Sequence, residues 1–145
     1  MWHLNLTFAV AVVAALPLPP SQSMAAEPAN VSKSGPAQVQ IIDGSKLRRV
    51  TLTQKAADRL DITIGQVTEE PSGRKVAPYA SIFYDLAGEA WVYTSPAPLT
   101  YVRHGVVVES IKGRDAYLKD GPPAGTQVIT VGVAQLYGAE KGVGH

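Results

Sequence analysis

Apolar and polar residues alternate most clearly between residues 76 and 108, and the pattern predicts three consecutive strands over 76–84, 89–95 and 99–108. Asp85, Leu86, Ala87 and Gly88 join the first two, and Gly88 can take the left-handed conformation that closes a short hairpin. Ser95, Pro96, Ala97 and Pro98 join the second to the third. Neither proline can donate to a central ladder, so both belong in a turn or at an edge. In the second strand Trp91 and Tyr93 share one face, while Ala90, Val92 and Thr94 share the other. In the third, Val102, His104, Val106 and Val108 lie opposite Tyr101, Arg103 and Val107. Two consecutive hairpin signals predict an antiparallel meander.

Shorter elements flank it. Residues 39–43 and 47–52 read as strands with a turn at Asp43 and Gly44 between them. Thr53 is the expected N-cap of a short helix over 54–60, whose apolar face is Ala56, Ala57 and Leu60. Alternation returns over 62–70, with Gly65 as a bulge position. After the meander, Lys112 and Gly113 mark a turn, 115–118 a strand, 120–125 a dense turn cluster and 127–133 a β-branched strand. A helical turn is expected at 134–138, then a loose tail over 139–145. These elements amount to a mainly β domain over 39–138: a small antiparallel β-barrel or roll with one short helix.

The first 38 residues follow a different pattern. Residues 4–16 are an apolar run broken by Pro17, Pro19 and Pro20, and Ser23, Met24 and Ala25 offer the small residues a signal peptidase reads. Residues 1–26 are therefore read as a cleaved signal peptide, although Met1, Trp2 and His3 bring no Lys or Arg. Residues 27–38 are rich in Pro, Ala, Ser and Asn and are read as a flexible linker. The implied location is the periplasm, peripheral to the inner membrane.

Composition narrows the chemistry. The absence of cysteine excludes disulfides, thiolate metal sites and a cysteine nucleophile. A net charge of +1 with no run of Lys and Arg gives no nucleic-acid footprint. His104 and the terminal His145 are the only histidines after residue 26, too few for a converging set of three or four metal ligands. No serine sits in a nucleophile elbow, and the run Gly121 to Gly125 lacks the Lys and the following helix of a phosphate loop. The reading is a protein without catalytic residues, cofactor or metal.

Two separated segments resemble the periplasmic adaptor subunits, or membrane fusion proteins, of RND-type efflux pumps. One runs from Val50 through Thr53, Ala56, Ala57 and Leu60 to Val67, and resembles the family's early strand–helix–strand. The family has a Gly-Ile pair where this chain has Asp61 and Ile62. The other comprises Ala77 to Asp85, Trp91 to Tyr93, Tyr101 to Arg103, Gly121 to Gly132, and Leu136 to Gly138. It resembles the C-terminal, membrane-proximal region. In the family a lipoyl-like domain, a long α-hairpin and a barrel separate the two; here only 68–75 intervenes. The resemblance implies an isolated membrane-proximal domain, docking on an RND inner-membrane transporter or a full-length adaptor. A second copy of the chain is a further expected partner. Trp91, Tyr93, Tyr101 and Arg103 are the candidate interface, since Tyr, Trp and Arg anchor interfaces. On that reading Arg103→Glu weakens partner binding without unfolding the domain. The alternatives are a periplasmic module that binds a small ligand or the envelope, an adaptor remnant without function, and a hydrolase built on His104.

Overall fold

The computed structural model describes residues 35–142. The signal-peptide reading, most of the linker and residues 143–145 lie outside them.

Two antiparallel sheets form the fold. Strands β1 (Ala37–Ile41), β2 (Arg48–Leu52), β3 (Thr63–Gln66), β6 (Phe83–Tyr84), β7 (Ala90–Ala97), β8 (Thr100–Gly105) and β11 (Gln127–Val131) make the larger one. Its order is β1-β2-β8-β7-β11-β3, with β6 also paired to β7. Strands β4 (Thr68–Glu69), β5 (Lys75–Pro78), β9 (Val107–Lys112) and β10 (Asp115–Asp120) make the smaller, in the order β4-β5-β10-β9. Helices α1 (Gln54–Arg59) and α2 (Val133–Lys141) complete the described residues with one 3-10 turn at Tyr79–Ser81. The mainly β, roll-like class is as expected, and the sheets do not close into a barrel.

The meander is corrected. The segment 76–84 is not one strand: it serves the small sheet as β5, turns at Tyr79–Ser81, and joins the large sheet as β6. The segment 99–108 divides in the same way at Val106, between β8 and β9. Val67 plays the same part between β3 and β4. Each of these valines is a one-residue junction buried in the core between the sheets. A hydrophobic run long enough to pass from one sheet to the next reads as a single strand when only its periodicity is visible.

Strands β7 and β11 are buried on both faces. Val92 and Val128 face a cluster with Val67, Ala77, Val106, Ala116 and Leu118, which lies between the sheets. Tyr93 and Ile129 face the opposite cluster, with Val50, Leu52, Tyr101, Ala56 and Ala57 of α1 and Leu136 of α2. The helices thus cover one face of the large sheet and the small sheet covers the other. Thr53 caps α1 as expected, its Oγ1 accepting from the Ala56 N–H at 3.2 Å.

The expected loose tail is also corrected. The helical turn foreseen at 134–138 runs on to Lys141, and Glu140 within it is 1% exposed. Gly142 then closes the helix in the left-handed conformation, with φ 75°.

Candidate functional site

Strands β7 and β8 bring the four candidate interface residues onto one face of the large sheet. Register pairs Tyr93 with Arg103 and Trp91 with Gly105. Because Gly105 has no side chain, the Trp91 ring can lean along the sheet toward Arg103. The Arg103 guanidinium carbon sits 4.6 Å from the Trp91 ring centroid and 5.8 Å from that of Tyr137. A cation held over an aromatic face is stabilised by the ring quadrupole, more so when desolvated.

Glu140 closes this group from α2. Its Oε2 lies 2.9 Å from Arg103 Nε and accepts a hydrogen bond of 2.6 Å from the Tyr93 hydroxyl. The Arg103 N–H is not directed at that oxygen, so the contact is an ion pair without a formed hydrogen bond. Arg48 of β2 donates to the Glu140 backbone carbonyl at 2.9 Å, tying the last turn of α2 to the sheet a second time. Phe83 stacks on Tyr93 with centroids 5.2 Å apart and planes 9° from parallel, and also touches Tyr137. On the outer side Asp85 accepts from the Trp91 indole N–H at 3.0 Å and from the backbone N–H groups of Ala87 and Glu89.

The electrostatics follow from this packing. Burial pushes the Tyr93 phenol well above its usual value of 10.0, and the adjacent Glu140 carboxylate pushes it further. Burial alone raises Tyr101. Partial burial acts to raise Asp85, but the hydrogen bonds from Glu89, Trp91 and Ala87 and the charge of Arg103 outweigh it and hold the carboxyl below its usual range. A phenol whose folded value is raised contributes full stability below its ordinary value of 10.0, and that stability is lost as the pH rises further. Each buried tyrosine then costs about 1.4 kcal/mol per pH unit. Stability measured by urea denaturation is expected to be flat from pH 7 to near 10 and to fall beyond it. Tyr93→Phe should reduce that slope, the remainder belonging to Tyr101. An unchanged slope in the variant would mean that Tyr93 ionises freely in the folded state.

The interface expectation is corrected at the level of exposure. Tyr93 is fully buried, Tyr101 is 2% and Arg103 7% exposed, and Trp91 is half-buried. Trp91, Tyr93 and Arg103 do converge, but on Glu140 and α2 of their own chain. Tyr101 shares their face without joining the ion pair; it packs beside Val50 and Leu52 and reaches a cleft near α1. His104 is exposed, and its Nδ1 contacts the neighbouring Gly105 carbonyl at 2.8 Å. Among the described residues no three His, Cys, Asp or Glu side chains gather as a metal site.

Sequence reasoning missed Glu140, Asp85 and Arg48. A signal for the first was present: Val133, Leu136, Tyr137 and Glu140 recur at the helical spacing, so Glu140 shares the face that must be buried.

No protein-family profile, curated protein or solved structure matches the chain. Among the described residues no helix is long and apolar enough to cross a membrane.

Proposed function

We propose that the protein is an exported, non-enzymatic, adaptor-like module of RND-type efflux. It would act in the periplasm, peripheral to the inner membrane, and dock on the inner-membrane transporter or on a full-length adaptor. One observation carries the reading. The two segments that resemble opposite ends of an adaptor chain are interleaved in one sheet: β2 of the first pairs with β8 of the second, and β3 with β11. Between them stands only the short hairpin of β4 and β5. A domain assembled from both chain ends, closed by a hairpin where the missing domains would leave, fits that pattern.

Arg103 cannot serve as the probe of docking, because it is buried. Leu86 can. It is fully exposed at the tip of the β6–β7 hairpin, next to the half-exposed Tyr84. Crosslinking in native membranes, co-purification on a tag and mass spectrometry are expected to recover an RND pump or its adaptor. Leu86→Asp is expected to reduce that recovery several-fold with the melting temperature within about 2 °C, since exposed substitutions change stability little. Recovery of neither protein with the folded parent would overturn the proposal. The alternative, a small-ligand module, would be favoured by a deep pocket lined by the Tyr and Trp side chains. Trp91 and Tyr93 turn instead to Arg103 and Glu140, and only Tyr101 of the candidate set reaches a cleft.

A further inference from the structure

An open cleft of about 760 Å³ lies between the α1–β3 connection and the turn from β7 to β8. Small-molecule sites commonly fall in the range of about 300–1,000 Å³. One wall carries Asp58 and Asp61, and the other is the apolar run Pro96, Ala97, Pro98 and Leu99. No Lys, Arg or His lines it, so its charge is wholly negative. Neither ion pair of the described residues involves Asp58 or Asp61. Asp58 Oδ1 accepts one hydrogen bond, from Gln54 Nε2 at 2.7 Å, which leaves its other oxygen free for a ligand.

An independent observation comes from Tyr101. Its side chain is 2% exposed, it lines the cleft, and its hydroxyl has no hydrogen-bond partner among the described residues. Tyr101 Oη is not among the buried polar atoms left unpaired, so the hydroxyl meets solvent in the cleft and offers its donor and acceptor to whatever enters. Asp61 (φ 50°) and Leu99 (φ 57°), the two non-glycine residues with positive φ among the described ones, both line the cleft, at the turns that end α1 and join β7 to β8.

We propose that this cleft binds a small organic cation, an ammonium group carried on an apolar body. The ammonium donates to the Asp58 and Asp61 carboxylates and to the Tyr101 hydroxyl oxygen. The apolar body lies against Pro96, Pro98 and Leu99. The proposal stands on the cleft alone and is independent of the docking reading above.

The test uses the isotope-labelled full chain and three probes of one shape: protonated phenethylamine, neutral 2-phenylethanol and anionic 3-phenylpropionate. Phenethylammonium is expected to shift the backbone amide signals of residues 57–64 and 95–101, saturably, and more weakly as salt screens the carboxylates. The alcohol should bind about ten-fold more weakly or worse, the worth of a charge-assisted hydrogen bond, and the carboxylate not at all. Asp58→Asn with Asp61→Asn should produce the same loss, on side chains exposed enough to leave the fold intact. Tyr101→Phe removes only the unpartnered hydroxyl and should weaken the cation about three- to ten-fold. Three outcomes would each overturn the proposal: no saturable shift with the cation, equal shifts from all three probes, or an affinity unchanged in the double variant.

Discussion

Glu140→Ala is expected to cost about 3–5 kcal/mol of folding stability, the usual penalty for leaving a buried charge without its partner. The loss has two parts. Arg103 stays under Trp91 and Tyr137 with its ion-pair partner gone. The Tyr93 hydroxyl loses the acceptor it holds at 2.6 Å. For a domain of this size the melting temperature should fall by more than about 10 °C. Arg103→Glu, expected from sequence to be silent for folding, should be at least as damaging, because it sets a second carboxylate against Glu140. The control is the double variant Arg103→Met with Glu140→Leu. Replacing both members of a buried pair with apolar side chains of similar volume is often neutral or stabilising. The double variant should therefore recover most of what Glu140→Ala loses, as measured by urea denaturation. A loss under about 1 kcal/mol for Glu140→Ala would show that water reaches the pair and that α2 is held mainly by Leu136.

That pair also shows where sequence reading succeeds and where it stops. Alternation placed Trp91 with Tyr93 on one face of the second strand and Tyr101 with Arg103 on one face of the third, and the register joins the two into one sheet face. Periodicity could not say whether that face met solvent or another layer, because α2 showed only as a helical turn over 134–138. Ala134, Gly138 and Ala139 dilute its apolar signal. The charged residue that completes the site lay in a stretch read as tail. The sheet-switching strands failed for a related reason: Val67 and Val106 are apolar at the points where the chain changes partners, so nothing interrupts the pattern. By contrast the helix cap at Thr53 was legible, since it depends on one hydroxyl and the three residues that follow it. Asp61 was not legible as a left-handed position: its φ is 50°, and Asp is among the non-glycine residues that tolerate that conformation best.

Gly132→Ala is the second large effect expected, at about 2–4 kcal/mol. Gly132 links β11 to α2 with φ 90°, a conformation that costs an L-residue roughly 1–2 kcal/mol. A Cβ there would also overlap Ile62 Cδ1 and lie 3.3 Å from the Leu60 carbonyl oxygen. The carbonyl belongs to the backbone that ends α1 and cannot move freely. Ile62 packs against the core of the large sheet, so displacing it adds an overpacking cost of about 1–3 kcal/mol. Gly88→Ala separates the two contributions. Gly88 has a similar φ of 79° but open space where the Cβ would go, so only the conformational part should appear there, about 1 kcal/mol. A difference of at least 1 kcal/mol between the variants would measure the crowding between the start of α2 and the α1–β3 connection. Equal losses would mean that the connection yields, and with it the wall formed by Ile62 and Asp61. In that event Gly132→Ala should also alter cation binding in the cleft, because Ile62 lines it. A rigid connection predicts the opposite pairing: a large loss of stability, with the affinity of the surviving folded protein unchanged.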